Sequence, residues 1–366
     1  MKWTFVLAMA IALAGFASAS QAATPGLDQS GKPDLKSAGP IAFGPDGVLF
    51  VADPAGAAVF AIEVPKAKPV EGKAGEFKVA GVDAKVASLL GTTAGDILIN
   101  DLAVQPGSSV AYLSVSRGKG PAGTPALVTV DSQGAVALVG LDKVNYAKVA
   151  LSNAPEADAK DKRGNSLRNE SITDLAYIDG RVLVAGLSNE EFASKLRAFR
   201  FPFGKEEDDT SIEIYHGAHG AFETRAPVRT FVPLIVAGEP QILAAYTCTP
   251  LVRFPLSDLK PGAKVRGTTI AELGNRNRPL DIVSYEKDGK TYLLIANSAR
   301  GVMKVTTETI ADQKGITEKV ADKAGLAYET LEALKGVEHL DKLSPTQALL
   351  LVRTGDAVGL ESIQLP

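Results

Sequence analysis

The chain has 366 residues, with 39 Lys and Arg against 42 Asp and Glu, a formal net charge of −3 and 45% hydrophobic residues. That balance leaves no basic footprint for nucleic acid and no polybasic patch for a membrane surface. Cys248 is the only cysteine, which excludes an intrachain disulfide, so stability has to come from burial.

Residues 1–22 read as an export signal. Lys2 supplies the positive start, Phe5 to Phe16 the apolar run, and Ala17-Ser-Ala-Ser-Gln-Ala22 the small residues of a cleavage site. Spanning a bilayer takes about 20 apolar residues, more than this run offers. The expectation is a periplasmic or secreted monomer, a single domain over residues 23–366, with no membrane insertion after cleavage. Cleavage removes Trp3, Met1 and Met9, so the mature chain keeps no tryptophan and only Met303.

Past the signal, the pattern repeats. Pro40-Ile-Ala-Phe, a Pro-Asp-Gly turn, Val48-Leu-Phe-Val-Ala-Asp53 and Ala58-Val-Phe-Ala-Ile-Glu-Val64 predict three short strands in series. Further copies open at Asp101, Asp174, Thr230, Asp281 and His339. Each has a small-residue first strand, a strongly apolar second and an alternating third, as in Val110–Val115, Arg181–Ala185, Gln241–Tyr246, Thr291–Ala296 and Ala348–Val352. The fold class predicted is all-β, a six-bladed β-propeller of four-stranded blades, with seven as the alternative count. The last copy stops one strand short at Pro366. The segment before Gly39 is expected to supply that strand and close the ring, because closure removes an exposed sheet edge. Ile316 to Lys335, rich in Ala, Glu, Lys and Leu, predicts a short helix. Leu151 to Asn169 has no periodicity and reads as a surface insertion.

Residues 40–53 resemble the repeat of the NHL-repeat and gluconolactonase-like six-bladed propellers. The resemblance implies a divalent cation at the mouth of the central channel and lactonase chemistry. The glutamate that opens the first blade in those enzymes is Pro40 here, a departure from the ligand set.

Equivalent first residues of the inner strands should form a ring around the channel: Pro40, Asp101, Asp174, Thr230, Asp281 and His339. Two readings follow. Asp101, Asp174, Asp281 and His339 hold a divalent metal, since oxygen donors with one imidazole suit a hard or borderline cation. Alternatively, each carboxylate binds neighbouring backbone N–H groups and ties adjacent blades together.

The face at which the inner strands begin should also receive His216, His219 and Cys248. With Glu223 in reach, these form a second metal candidate, suited to zinc or copper. Arg225, Arg229, Asn275, Arg276, Arg278 and Arg300 fall on the same face as candidates for binding a carboxylate or phosphate, against a reading as solvated loop charges. No Gly-x-Ser-x-Gly elbow, phosphate-binding glycine loop or haem-attachment motif is present. The function expected is binding of a small molecule or an envelope protein at this face, with metal-dependent hydrolysis as the alternative.

Overall fold

Apolar runs bounded by turns become the second strands of antiparallel sheets. Val48–Asp53 is buried along its whole length, and Arg181–Leu187 and Lys290–Asn297 along most of theirs. The computed structural model describes residues 24–67, 75–118, 123–204 and 206–366; the predicted export signal lies outside the described residues.

Six sheets, each built on four antiparallel strands, form a six-bladed β-propeller. The blades are numbered here by the chain order of their innermost strands: Ile41–Phe43, Ile97–Val104, Asp174–Ile178, Thr230–Val236, Pro279–Lys287 and Val337–Ser344. Their order around the ring differs from their order in the chain. Ile41, Leu49 and Phe60 of blade one pack with Ala103, Tyr112 and Leu127 of blade two. The other side of blade one, through Val48, Phe50 and Ala52, packs with Leu175, Val182 and Phe199 of blade three. Blades three and four, four and five, and five and six follow in turn. Leu343, Leu349 and Leu351 of blade six then meet Leu102, Val104 and Leu113 of blade two. The ring therefore runs two, one, three, four, five, six.

The chain achieves this by delaying strands. After Ala58–Glu63 it leaves blade one unfinished and contributes Lys78–Val79 as the outer strand of blade six, opposite Leu360 and Glu361. A helix, Val82–Leu89, plugs the seam between blades six and two with Val82 and Val86. Blade two is then completed, and Val144–Ala150 returns to pair with Ala58–Ile62 as the fourth strand of blade one. The predicted closure is corrected by this arrangement. The segment before Gly39 contributes Gln29–Gly31, which pairs outside Val144–Tyr146 on blade one, not on the last blade. Both solutions cover a sheet edge.

A second correction concerns Ile316 to Lys335, which holds no helix. Lys323–Gly325 pairs with Ala271–Leu273 at the rim of blade four, and Tyr328–Leu331 completes blade five. Free edges on both blades outweigh the weak helical preference of the segment. Leu151 to Asn169 is mostly irregular and largely exposed, as predicted, with a single bridge between Lys160 and Ser166 and a 3-10 turn, Arg168–Glu170, at its end.

Candidate functional site

The innermost strands leave one row of backbone N–H groups facing the next blade, and these need partners. Aspartates supply them. Asp101 accepts from Leu102 N–H (2.8 Å) in its own strand and from Ile41 N–H (2.7 Å) in blade one. Asp174 does the same with Leu175 (2.7 Å) and Phe231 (2.7 Å), joining blades three and four. Asp281 accepts from Ile282 (2.8 Å) and Leu340 (3.0 Å), joining five and six. One pleat deeper, Asp341 accepts from Lys342 (2.7 Å) and Val104 (2.7 Å), joining six and two. All of these latches point the same way around the ring. Blades one and four, which begin with Pro40 and Thr230, have none. Asp341 was not singled out from the sequence, although Asp341-Lys-Leu-Ser repeats the Asp281-Ile-Val-Ser spacing.

Blades five, six and two each carry a bulge one residue before Asp281, His339 and Asp101. A bulge re-aims the next side chain, here into the channel. Because blade two lies beside blade six, His339 sits between two carboxylates. Its Nδ1 is 3.3 Å from Asp101 Oδ1 and 3.5 Å from Asp281 Oδ2. Burial alone would lower its pKa, but the hydrogen bonds and charges of Asp101 and Asp281 outweigh it and raise the value to about 10. At neutral pH His339 is thus an imidazolium clamped by two aspartates. Asp281 is itself held above the usual carboxylate range by burial and by Asp101, a rise that His339 moderates. Burial, then the charges of Asp281 and Asp101, push Asp174 well up, and burial pushes Asp341 to about 7.

Of the metal set expected in the channel, Asp101, Asp281 and His339 come together within 4.8 Å, and Asp174 lies outside that group. A cation there would have to displace the imidazolium proton. The channel holds a cavity of about 550 Å³ whose lining includes Asp101, Asp174, Asp281 and Asp341 beside Ala42 and Lys342.

A cavity of about 850 Å³ lies on the face where the inner strands begin, between blades five and six. Its walls are the Asn297–Gly301 turn, Tyr328, Gly336–Glu338 and Arg353. Arg300, Lys323, Lys335 and Arg353 set four cations against the carboxylates of Glu332 and Glu338. Arg300 is held in place. Its Nη2 donates to Asn275 O and Asp322 Oδ1, both at 3.0 Å, while Asn275 N–H donates to the same Asp322 oxygen (3.0 Å). Gly274 lies flat against the guanidinium; a Cβ there would come 2.5 Å from Arg300 Cζ. Arg353 forms a two-pronged pair with Glu338, and Lys335 pairs with Glu332. Lys323 has no ion-pair partner among the described residues, its ammonium lying 5.0 Å over the Tyr328 ring.

The other predicted arginines disperse. Arg229 is taken by Glu170 and Thr247. Arg278 is exposed, with no ion-pair partner among the described residues. Arg225 and Arg276 are exposed. The cleft itself has no signature in the sequence because turn backbone and Gly336 shape it; Arg300 and Asn275, both expected at an anion site, are the residues that mark it.

His216, His219 and Cys248 do converge, within 4.8 Å of one another, at the seam of blades three and four. They share a face with His339 but form a cluster separate from it. No known protein family matches the chain, and no curated protein matches it.

Proposed function

We propose that this is an exported binding propeller that takes a small anionic ligand, a carboxylate or phosphate compound, in the cleft between blades five and six. The observation that carries the reading is the cleft's pairing of a guanidinium fixed in advance, Arg300, with an uncommitted ammonium, Lys323. A cavity of about 850 Å³ falls within the size range of small-molecule sites, which is roughly 300–1,000 Å³. Fixing Arg300 before the ligand arrives reduces the ordering cost of binding. Tyr328 offers an apolar wall, and the Ser298 and Gly336 backbones line the rim. The hydrolase alternative requires a metal at Asp101, Asp281 and His339, where the His339 side chain already stands between the two carboxylates.

The test is thermal unfolding of the full protein with inorganic phosphate, citrate and succinate, each titrated to saturation. A ligand at about 100 times its Kd stabilises by about 2.7 kcal/mol. At least one anion is expected to raise the midpoint, and Arg300→Ala with Lys323→Ala is expected to abolish the rise. A rise unchanged in the double variant, or no rise with any of the anions, would contradict the assignment.

A further inference from the structure

The seam between blades three and four carries a second cluster, independent of the cleft. His216 ends the strand Asp208–His216, and a turn through Gly217-Ala-His219-Gly220 leads into Ala221–Glu223. The turn is closed by His219 N–H (3.1 Å) and Gly220 N–H (2.8 Å) donating to His216 O, with Gly220 at φ 69°. One short hairpin thus presents both histidines and Glu223. Glu223 accepts from both imidazoles, Oε2 from His216 Nδ1 at 3.0 Å and Oε1 from His219 Nδ1. A carboxylate can only accept, so Glu223 is the acceptor in both bonds. Both Nδ1 atoms are therefore donors, and in the neutral imidazoles each Nε2 carries a free lone pair.

The His216 side chain is only 4% exposed, and its Nε2 has no hydrogen-bond partner. A buried acceptor with nothing to accept costs stability unless a ligand supplies the missing bond. The rings of His216 and His219 lie 3.9 Å apart between centroids. Cys248 arrives from the neighbouring blade on a turn in which it and Thr249 both have positive φ, 63° and 66°. Blade five's approach segment anchors that turn: Cys248 N–H donates to Asn277 O (2.8 Å) and Thr249 Oγ1 to Gly274 O (2.7 Å). Non-glycine residues in this region are strained, and the anchoring holds the thiol toward the histidines. Glu272, 1% exposed, adds a second orphan: Oε1 accepts from Gly217 N–H (2.6 Å), whereas Oε2 is buried without a partner.

We propose that His216, His219 and Cys248 bind one borderline transition-metal ion of the zinc class. Two imidazoles and a thiolate make a soft donor set and supply three of the four ligands that a tetrahedral zinc site takes. Glu223 plays the part of the outer carboxylate that fixes the tautomer and direction of ligating histidines. Binding releases the thiol proton, and the metal takes the lone pair that His216 Nε2 leaves unused.

Because Cys248 is the only cysteine, a thiol probe reports on this site alone. The full protein, stripped with chelator, is titrated with Co²⁺ as a spectroscopic stand-in for Zn²⁺. The expected result is saturation at one ion per chain with a thiolate-to-cobalt charge-transfer band. Zn²⁺ should bleach that band and slow alkylation of Cys248 by iodoacetamide at least tenfold. Cys248→Ser and His216→Asn should lose the band, and Glu223→Gln should weaken affinity by about 10–100-fold. Cobalt binding without the band, or alkylation at the same rate with and without Zn²⁺, would overturn the proposal; the alkylation measurement needs no variant and so does not depend on any variant folding.

Discussion

Replacing His339 with leucine is expected to destabilise the propeller by about 3–5 kcal/mol, the cost of removing one partner from a buried ion-pair set. The imidazolium lies within 3.3 Å of Asp101 and 3.5 Å of Asp281, with its side chain 18% exposed. Without it, two carboxylates latched to neighbouring blades would face each other unneutralised. The pH dependence gives a sharper readout. His339 titrates at about 10 in the fold against 6.5 in the unfolded chain. Its contribution is therefore complete below pH 6.5 and is lost as the pH rises through about 10, because the folded state holds a proton the unfolded state has released. Asp341, raised from 3.8 to about 7, acts with the same sign at lower pH. The urea midpoint of the wild type should decline from mildly acidic to alkaline pH. His339→Gln should lose the part of the decline above pH 6.5 and keep the part below about 7. An unchanged slope in the alkaline range would remove His339 as its source.

Phe50→Ala is expected to cost about 3–5 kcal/mol by emptying the joint between blades one and three. The ring is fully buried, stacked 5.5 Å from Tyr177 and met edge-on by Phe201 at 5.0 Å. Gly44 packs directly on the ring; a Cβ there would stand 2.3 Å from Phe50 Cε2. Denaturant unfolding of Phe50→Ala, Tyr177→Ala and the double variant gives the coupling. Contacting residues couple by about 0.5–3 kcal/mol, and residues on blades that do not touch add independently. Strict additivity would separate blade one from blade three.

Much of this architecture was legible. The inner strands were expected to open at 40, 101, 174, 230, 281 and 339, and they open at Ile41, Ile97, Asp174, Thr230, Pro279 and Val337. Apolar periodicity marks such strands reliably because it records which side chains are buried. It does not record what buries them, so the exchange of blades one and two was invisible. The absence of a fourth strand after Glu63 was its only trace. Lys78–Val79 is too short to show a period, yet it closes the ring. The aspartates were recognised, and the reading of them as ties between blades matches the hydrogen bonds they make. That Asp101 and His339 are neighbours followed only from the exchanged order, since sequential blades would have put Pro40 between them. The histidine and cysteine cluster was foreseen as a set, whereas Glu272 was not, being an acidic residue inside an otherwise apolar strand, Thr268–Leu273.

The exchanged order underlies the clamp on His339, through the contact of Asp101 with His339, and a single engineered bond tests it. Lys78 and Glu361 are direct partners across the seam that closes the ring, and antiparallel partners lie within disulfide reach. In a Cys248→Ser background, K78C with E361C is predicted to oxidise to an intramolecular disulfide, seen as a faster-migrating band that reductant removes. Failure to form it, with ready crosslinking of S30C to E361C instead, would return closure to the segment before Gly39 and contradict the ring order.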